Sequence, residues 1–278
     1  MKDIITFLHH NTLAMVGVWI LGGLLLAVTF GPLFVQSPIA IDIDAKLLPP
    51  GPEHWLGTDN FGRDMLSRIL YGGRYTLAIG MMVVGIAFVI GVFFGILAGF
   101  TGGLLDTVIM RIVDAMLSFP TLVLAIALAA AFGPSLWNAM IAVAITMAPQ
   151  FARVARSQAL AITARQFVDA AHALGLPRRQ ILLRYVLINA IGPLLVQASL
   201  NLGSAILQTA SLGFLGLGAQ PPLAEWGADV SANLAFARSS PWTALGPGFA
   251  ILLAVLSFNL IGDALADWFN PRRRSQIG

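Results

Sequence analysis

The positions of Asp, Glu, Lys and Arg constrain this chain more than any other feature, because they leave five long stretches with no charge: residues 4–41, 75–105, 115–152, 185–224 and 239–262. These hold 38, 31, 38, 40 and 24 residues. A helix needs about 20 apolar residues to cross the hydrocarbon core of a bilayer. Every stretch is therefore long enough to span, and the third could span twice, since Gly133-Pro134-Ser135 in its middle reads as a tight turn. The sequence thus predicts an all-α polytopic membrane protein with six transmembrane helices. Composition agrees: 58% of the residues are hydrophobic and 10% charged, where a soluble domain has about 25% charged. The first stretch is apolar from about Leu13 to Val35. That exceeds the roughly 7–15 residues of a signal-peptide core, and no small-residue cleavage site follows, so it reads as a retained helix.

Six spans put both termini on one side. With the N-terminus in the cytoplasm, Lys2, Arg153, Arg156, Arg165, Arg178, Arg179, Arg184, Arg272, Arg273 and Arg274 fall inside, against Lys46, Arg63, Arg68, Arg74 and Arg238 outside. Ten against five favours both termini cytoplasmic in an inner (plasma) membrane. The pI near 9.8 is then a sign of topology and calls for no nucleic-acid partner. The absence of cysteine removes disulfides and thiolate chemistry. His9-His10 lie outside any specific ligand spacing and read as a solvated tail, so no metal site is expected.

One domain is expected over 1–278, with an extramembrane segment at about 36–75 that is periplasmic by parity. It holds Pro49-Pro50-Gly51-Pro52, and its Arg63, Asp64 and Arg68 interleave with Met65, Leu66, Ile69 and Leu70. That pattern suggests a short amphipathic helix at the interface. The second span carries Gly91, Gly95, Gly99 and Gly103 at an interval of four. A face without side chains lets another helix approach closely, from this subunit or the next. Near the start of the third span, Arg111 and Asp114 are three residues apart and can pair on one helix face. Pro120 should kink or interrupt that helix.

In the fifth stretch Gln197, Asn201, Ser204 and Gln208 fall at i, i+4, i+7 and i+11. Such a polar stripe belongs against other helices or a water-filled pathway, and lipid excludes it. Ahead of it lies a basic, non-spanning cytoplasmic segment, about 153–184, containing Phe167-Val168-Asp169-Ala170-Ala171-His172-Ala173-Leu174-Gly175-Leu176-Pro177. Asp169 suits a helix start, where the dipole favours negative charge. Gly175 with Pro177 two residues on marks the stop. Small residues on a short helix suit docking into another protein's groove.

That segment resembles the acid-Ala-Ala-x-x-x-Gly loop of binding-protein-dependent ABC importer permeases. Asp169-Ala170-Ala171 and Gly175 match, and Asn189 to Pro193 follow where the next helix begins. Asp169 replaces the usual Glu, and Ile188 stands where Pro is common. From about residue 45 onward the chain is similar to the second-permease branch for dipeptides, oligopeptides and nickel. The carrying stretches are His54-Trp55-Leu56-Gly57-Thr58-Asp59, Gly62-Arg63-Asp64, Met110-Arg111-Ile112-Val113-Asp114 with Phe119-Pro120, Ser211 to Gly218, Glu225-Trp226-Gly227 and Phe258 to Asp263. The resemblance is nearest to dipeptide or D,D-dipeptide permeases. It implies a type I importer fold and a role as half of the translocation pathway. The implied ATPase-coupling residues are Asp169, Ala170, Ala171, Gly175, Pro177, Arg178 and Arg179. The implied partners are a homologous permease in a heterodimer, two cytoplasmic ATPase subunits and a periplasmic solute-binding protein. Small peptides are the expected substrate, and nickel or a nickel complex is the alternative.

The chain has no means of hydrolysing ATP itself. A phosphate-binding loop needs G-x-x-x-x-G-K-[ST], yet the only lysines are Lys2 and Lys46 and neither follows a glycine. ATP and Mg are therefore expected on partner subunits, with no cofactor on this chain and no enzymatic site. A proton-coupled secondary transporter would need acids at mid-membrane, and the charge-free stretches supply none. A non-transporting structural subunit fits the composition, but the acid-Ala-Ala-Gly loop argues against it.

Overall fold

The structure is a computed structural model, which describes residues 12–269; His9-His10, Lys2 and Arg272 to Arg274 lie outside that range. Among the described residues there are helices and loops and no β-strand. A lipid-embedded backbone must satisfy its own polar groups, and the helix does so within one segment. In chain order the helices are α1 (Thr12–Phe30), α2 (Met65–Thr101), α3 (Gly103–Leu117), α4 (Thr121–Phe132), α5 (Leu136–Thr163), α6 (Gln166–Ala173), α7 (Arg178–Ile181), α8 (Ile188–Phe214), α9 (Trp226–Asn233) and α10 (Trp242–Phe269). A π-helical turn, Leu182–Leu187, joins α7 to α8.

Four helical segments, 12–33, 65–101, 178–214 and 242–268, are long and apolar enough to cross a membrane; α3 and α4 make a fifth if their bent pair is one span. The expected six is therefore not reached on length and apolarity. The shortfall lies in the third charge-free stretch. There the chain breaks between Leu117 and Thr121 with a bend of 94° around Pro120. Beyond the turn at Gly133-Pro134-Ser135, α5 runs 28 residues but takes in Arg153, Arg156 and Pro149 and is less apolar.

Helices α2 and α5 pack side by side and run in the same direction. Their spacing is set by Gly91, Gly95 and Gly99: a Cβ on these would come within 2.4, 2.3 and 2.7 Å of the carbonyl oxygens of Ala148, Ala152 and Arg156. The facing surface of α5 is itself small, with Ala152, Ala155 and Ala159 buried. Glycine against alanine lets two backbones approach where lipid supplies no hydrophobic drive. The partner of this face is thus within the subunit. Gly103 departs from the expected set. Its φ of +63° makes it, with Gly102, the reversal into α3, and a Cβ there would meet nothing.

Two further expectations need correction. No separate surface helix occupies 63–70. Asp64 accepts from the Ser67 N–H at 2.7 Å, and this N-cap starts the 37-residue α2 at Met65, so Arg68 and Leu70 belong to its first turns. Arg111 does not pair with Asp114. Asp114 accepts from Arg153 Nη2 at 2.7 Å, and Asp106 takes Nε and Nη2 of Arg156 at 2.5 and 2.6 Å. An interhelical pair fastens α3 to α5, which a pair within one helix could not do. At the far end Arg74 donates to the carbonyls of Val28 and Thr29, both at 2.7 Å. These are among the last carbonyls of α1, which have no partner inside their own helix.

Candidate functional site

The molecule has two ends. One carries α6, after the C-terminus of α5. The other carries α9, the N-terminus of α2 and the segment 36–64.

At the first end, α6 closes with two bonds characteristic of a left-handed C-terminal cap: Gly175 N–H to His172 O at 3.0 Å and Leu176 N–H to Ala171 O at 3.2 Å. Gly175 has φ +76°, a conformation that favours glycine. Pro177 then begins α7. Val168 and Ala171 face inward, joining a buried cluster with Ile162, Ile181, Val186 and Leu194. Phe167 stacks on Tyr185 of the π turn at 6.3 Å. At 3% exposure Ala171 holds α6 against the bundle and presents nothing to a partner.

Every other residue of α6 is exposed, Asp169 and Ala170 among them, and Leu174 just beyond its end is 81% exposed. Leu174 was not among the expected contact residues, although Phe167, Ala170 and Leu174 at i, i+3 and i+7 form one exposed strip directly beside the buried Val168 and Ala171. Arg165, Arg178, Arg179 and Arg184 are exposed, and none forms an ion pair among the described residues.

The polar stripe of α8 lies on one side of the bundle. Gln197 and Gln208 are half-buried, Asn201 is buried and Ser204 is exposed. Asn201 Nδ2 and Gln208 Oε1 are buried atoms with no hydrogen-bond partner. An unpaired buried polar atom costs about 1–3 kcal/mol.

The opposite end is an interior network. Arg68, 3% exposed, gives Nε to Asp229 Oδ1 at 2.8 Å and Nη2 to the same oxygen, and Nη1 to Pro38 O at 3.0 Å. Arg63 pairs with Asp59 at 2.6 Å. Glu225 caps α9 by accepting from the N–H groups of Gly227 and Ala228, and also takes the Thr76 hydroxyl. Burial pushes the Glu225 carboxyl up, against the pull of these three bonds. Burial likewise raises Asp229 to about 6, outweighing the attraction of Arg68. No local sequence pattern announces this network, because Arg68 and Asp229 are 161 residues apart.

These features are those of a polytopic membrane protein with a short, partly exposed helix at one end and a buried ion-pair network at the other. The fold is shared with a chain of the inward-facing MetNI methionine ABC transporter, which superposes with a TM-score of 0.61 at 20% identity, over 74% of this chain and 98% of that one. Residues 91–275 match the family described as binding-protein-dependent transport system inner membrane component, and residues 1–50 match the N-terminal TM domain of oligopeptide transport permease C. The chain is 45% identical to a dipeptide transport system permease of Alkalihalophilus pseudofirmus, over 96% of this chain and 88% of the relative. It is 46% identical to a probable D,D-dipeptide transport system permease of Escherichia coli, over 97% and 91%. The chain belongs to the binding-protein-dependent transport system inner membrane component family. It is a non-catalytic, multi-pass permease subunit of an ABC importer, working with a separate ATPase and a substrate-binding protein.

Proposed function

We propose that the chain forms half of the translocation pathway for small, dipeptide-like peptides, paired with a homologous but distinct permease, two ATPase subunits and a periplasmic solute-binding protein. One observation carries the substrate: relatives at 45% and 46% identity, matched over 96% and 97% of the chain, are named for dipeptides and D,D-dipeptides. In this reading ATP and Mg belong to the ATPase subunits and no cofactor sits on this chain. The basic segment around α6 is cytoplasmic with both termini, in keeping with the ten-to-five Lys and Arg bias.

The coupling surface comprises Asp169, Ala170 and Leu174 with Arg178 and Arg179, while Ala171, Gly175 and Pro177 fix its shape. Gln197, Asn201, Ser204 and Gln208 line the pathway where the second permease completes it. Their alignment on one face of α8 supports that placement. The test is uptake of labelled alanyl-alanine by cells that lack every other peptide importer. ATP-dependent accumulation that requires this chain is the expected outcome. Accumulation of nickel with no peptide uptake would overturn the peptide reading in favour of a metal importer.

A further inference from the structure

The α9 end carries a half-open cavity of about 280 Å³ whose walls include Pro221, Pro222, Leu223 and Ala232 together with Arg63 and Asp229. Two of these groups have unused bonding capacity. Asp229 is 1% exposed, and both its contacts with Arg68 go to Oδ1; Oδ2 is buried and has no partner. A carboxylate oxygen taken out of water with no donor is unfavourable, and the group that relieves it must bring an N–H or O–H. Arg63 is 7% exposed, with Nε on Asp59 Oδ2 at 2.6 Å and its guanidinium 4.8 Å from the Phe61 ring centre. Among the described residues its Nη1 and Nη2 make no hydrogen bond.

We propose that this cavity binds a small zwitterion, its ammonium on Asp229 Oδ2 and its carboxylate on the terminal nitrogens of Arg63. Charge balance selects that class. Arg63 and Arg68 are matched by Asp59 and Asp229. A simple cation or anion would therefore leave a buried charge uncompensated, whereas a ligand with both charges leaves none. The proline and leucine walls suit the short apolar side chains between such termini. The proposal deepens the peptide reading and rests on it: the cavity becomes a station for peptide at the end of the permease opposite the coupling helix.

The test uses the purified permease–ATPase complex in lipid nanodiscs, without the solute-binding protein. Its probes are alanyl-alanine, the N-acetyl and C-amide forms of that dipeptide, and alanine. Saturable binding of alanyl-alanine, weakened about tenfold or more by blocking either terminus, is expected. Asp229→Asn should remove the preference for a free amine, but it also breaks a buried ion pair. The deciding variant is therefore Ala232→Leu, which fills the cavity from an exposed position and leaves the Arg68–Asp229 pair in place. It should abolish binding with the unfolding temperature unchanged. Equal binding of blocked and free dipeptides, no saturable binding at all, or full binding by Ala232→Leu would each overturn the site. The two readings fail separately. If cells import no dipeptide yet alanine binds and Ala232→Leu abolishes it, the zwitterion site stands and the peptide substrate falls. If cells import dipeptide and the complex binds none of the probes, the reverse holds.

Discussion

The two ends of this permease handle charge in opposite ways. At the α9 end, Arg63, Arg68, Asp59, Asp229 and Glu225 are all buried: Arg63 pairs locally with Asp59, while Arg68 reaches Asp229 and Thr76 reaches Glu225 across about 150 residues or more of chain. At the α6 end, Arg165, Arg178, Arg179 and Arg184 face outward without an ion pair, beside an exposed Leu174. Buried, paired charges fix a shape, because losing one member leaves another charge stranded. An exposed leucine among unpaired cations costs little to leave in water and gains when covered. One end thus holds its form through internal ion pairs, and the other leaves its cations and an apolar side chain open, as the proposed coupling surface requires.

The largest expected effect tests the first half of that contrast. Arg68→Ala removes the partner of a carboxylate that is 1% exposed and also frees the carbonyls of Pro38 and Leu223. Breaking a buried pair in this way costs about 3–5 kcal/mol. Chemical denaturation of the purified complex should show that loss near neutral pH, whereas Arg178→Ala should shift stability by no more than about 0.5 kcal/mol, as surface changes do. Equal effects at the two positions would erase the distinction between the ends.

Acidity sharpens the same comparison. The folded-state value of Asp229 is raised from 3.8 to about 6, so the folded protein holds this proton more tightly than the unfolded chain. A raised value means the contribution is fully present below the unfolded value and is lost as pH rises through the folded one. Stability at the α9 end should accordingly fall by about 3 kcal/mol between about pH 4 and pH 8 from this group. Glu225, also raised by burial, acts in the same direction. Thermal unfolding across this range should show the slope, and Asp229→Asn should flatten it. The cost of Arg68→Ala should also shrink at low pH, where a protonated Asp229 no longer needs a cation. A flat profile in the parent protein would mean that Arg68 holds Asp229 ionised throughout.

How legible each end was in the sequence follows from the range of its interactions. The helices lie where charge is missing, Gly133-Pro134-Ser135 turns the chain, and Pro120 breaks α3 from α4, because each is decided by a few neighbouring residues. The C-terminal limit of α6 was legible for the same reason, with Gly175 and Pro177 supplying local backbone chemistry, whereas its start falls at Gln166, three residues before the expected Asp169. What escaped was pairing between segments. Asp114 had a plausible partner in Arg111 three residues away and took Arg153 instead, from a helix 39 positions on. The Gly91, Gly95 and Gly99 face announced close packing without saying against what. Ala171 marks a subtler boundary. An alanine suits an exposed docking surface and a tight buried contact equally well, and only the spacing of Val168 and Ala171 hints at the inward face.

That ambiguity yields the smallest and most discriminating prediction. Leu174→Asp places a charge at an exposed apolar position, so the fold should be unchanged while affinity for the ATPase subunit falls by roughly 1–3 kcal/mol, the range for a well-placed interface residue. Ala171→Arg should behave differently, because its side chain has no room beside Ile181 and Val186. There the helix itself should loosen, seen as faster hydrogen exchange across 166–176, and loss of the ATPase would follow from misplacing the surface. Raising salt separates the remaining contribution: it should weaken ATPase binding through Arg178 and Arg179 in the parent, and less so when both are alanine. If Leu174→Asp leaves binding intact while Ala171→Arg abolishes it with exchange unaltered, the contact face of α6 is the one assigned here to the interior, and the coupling surface must be redrawn around Ala171.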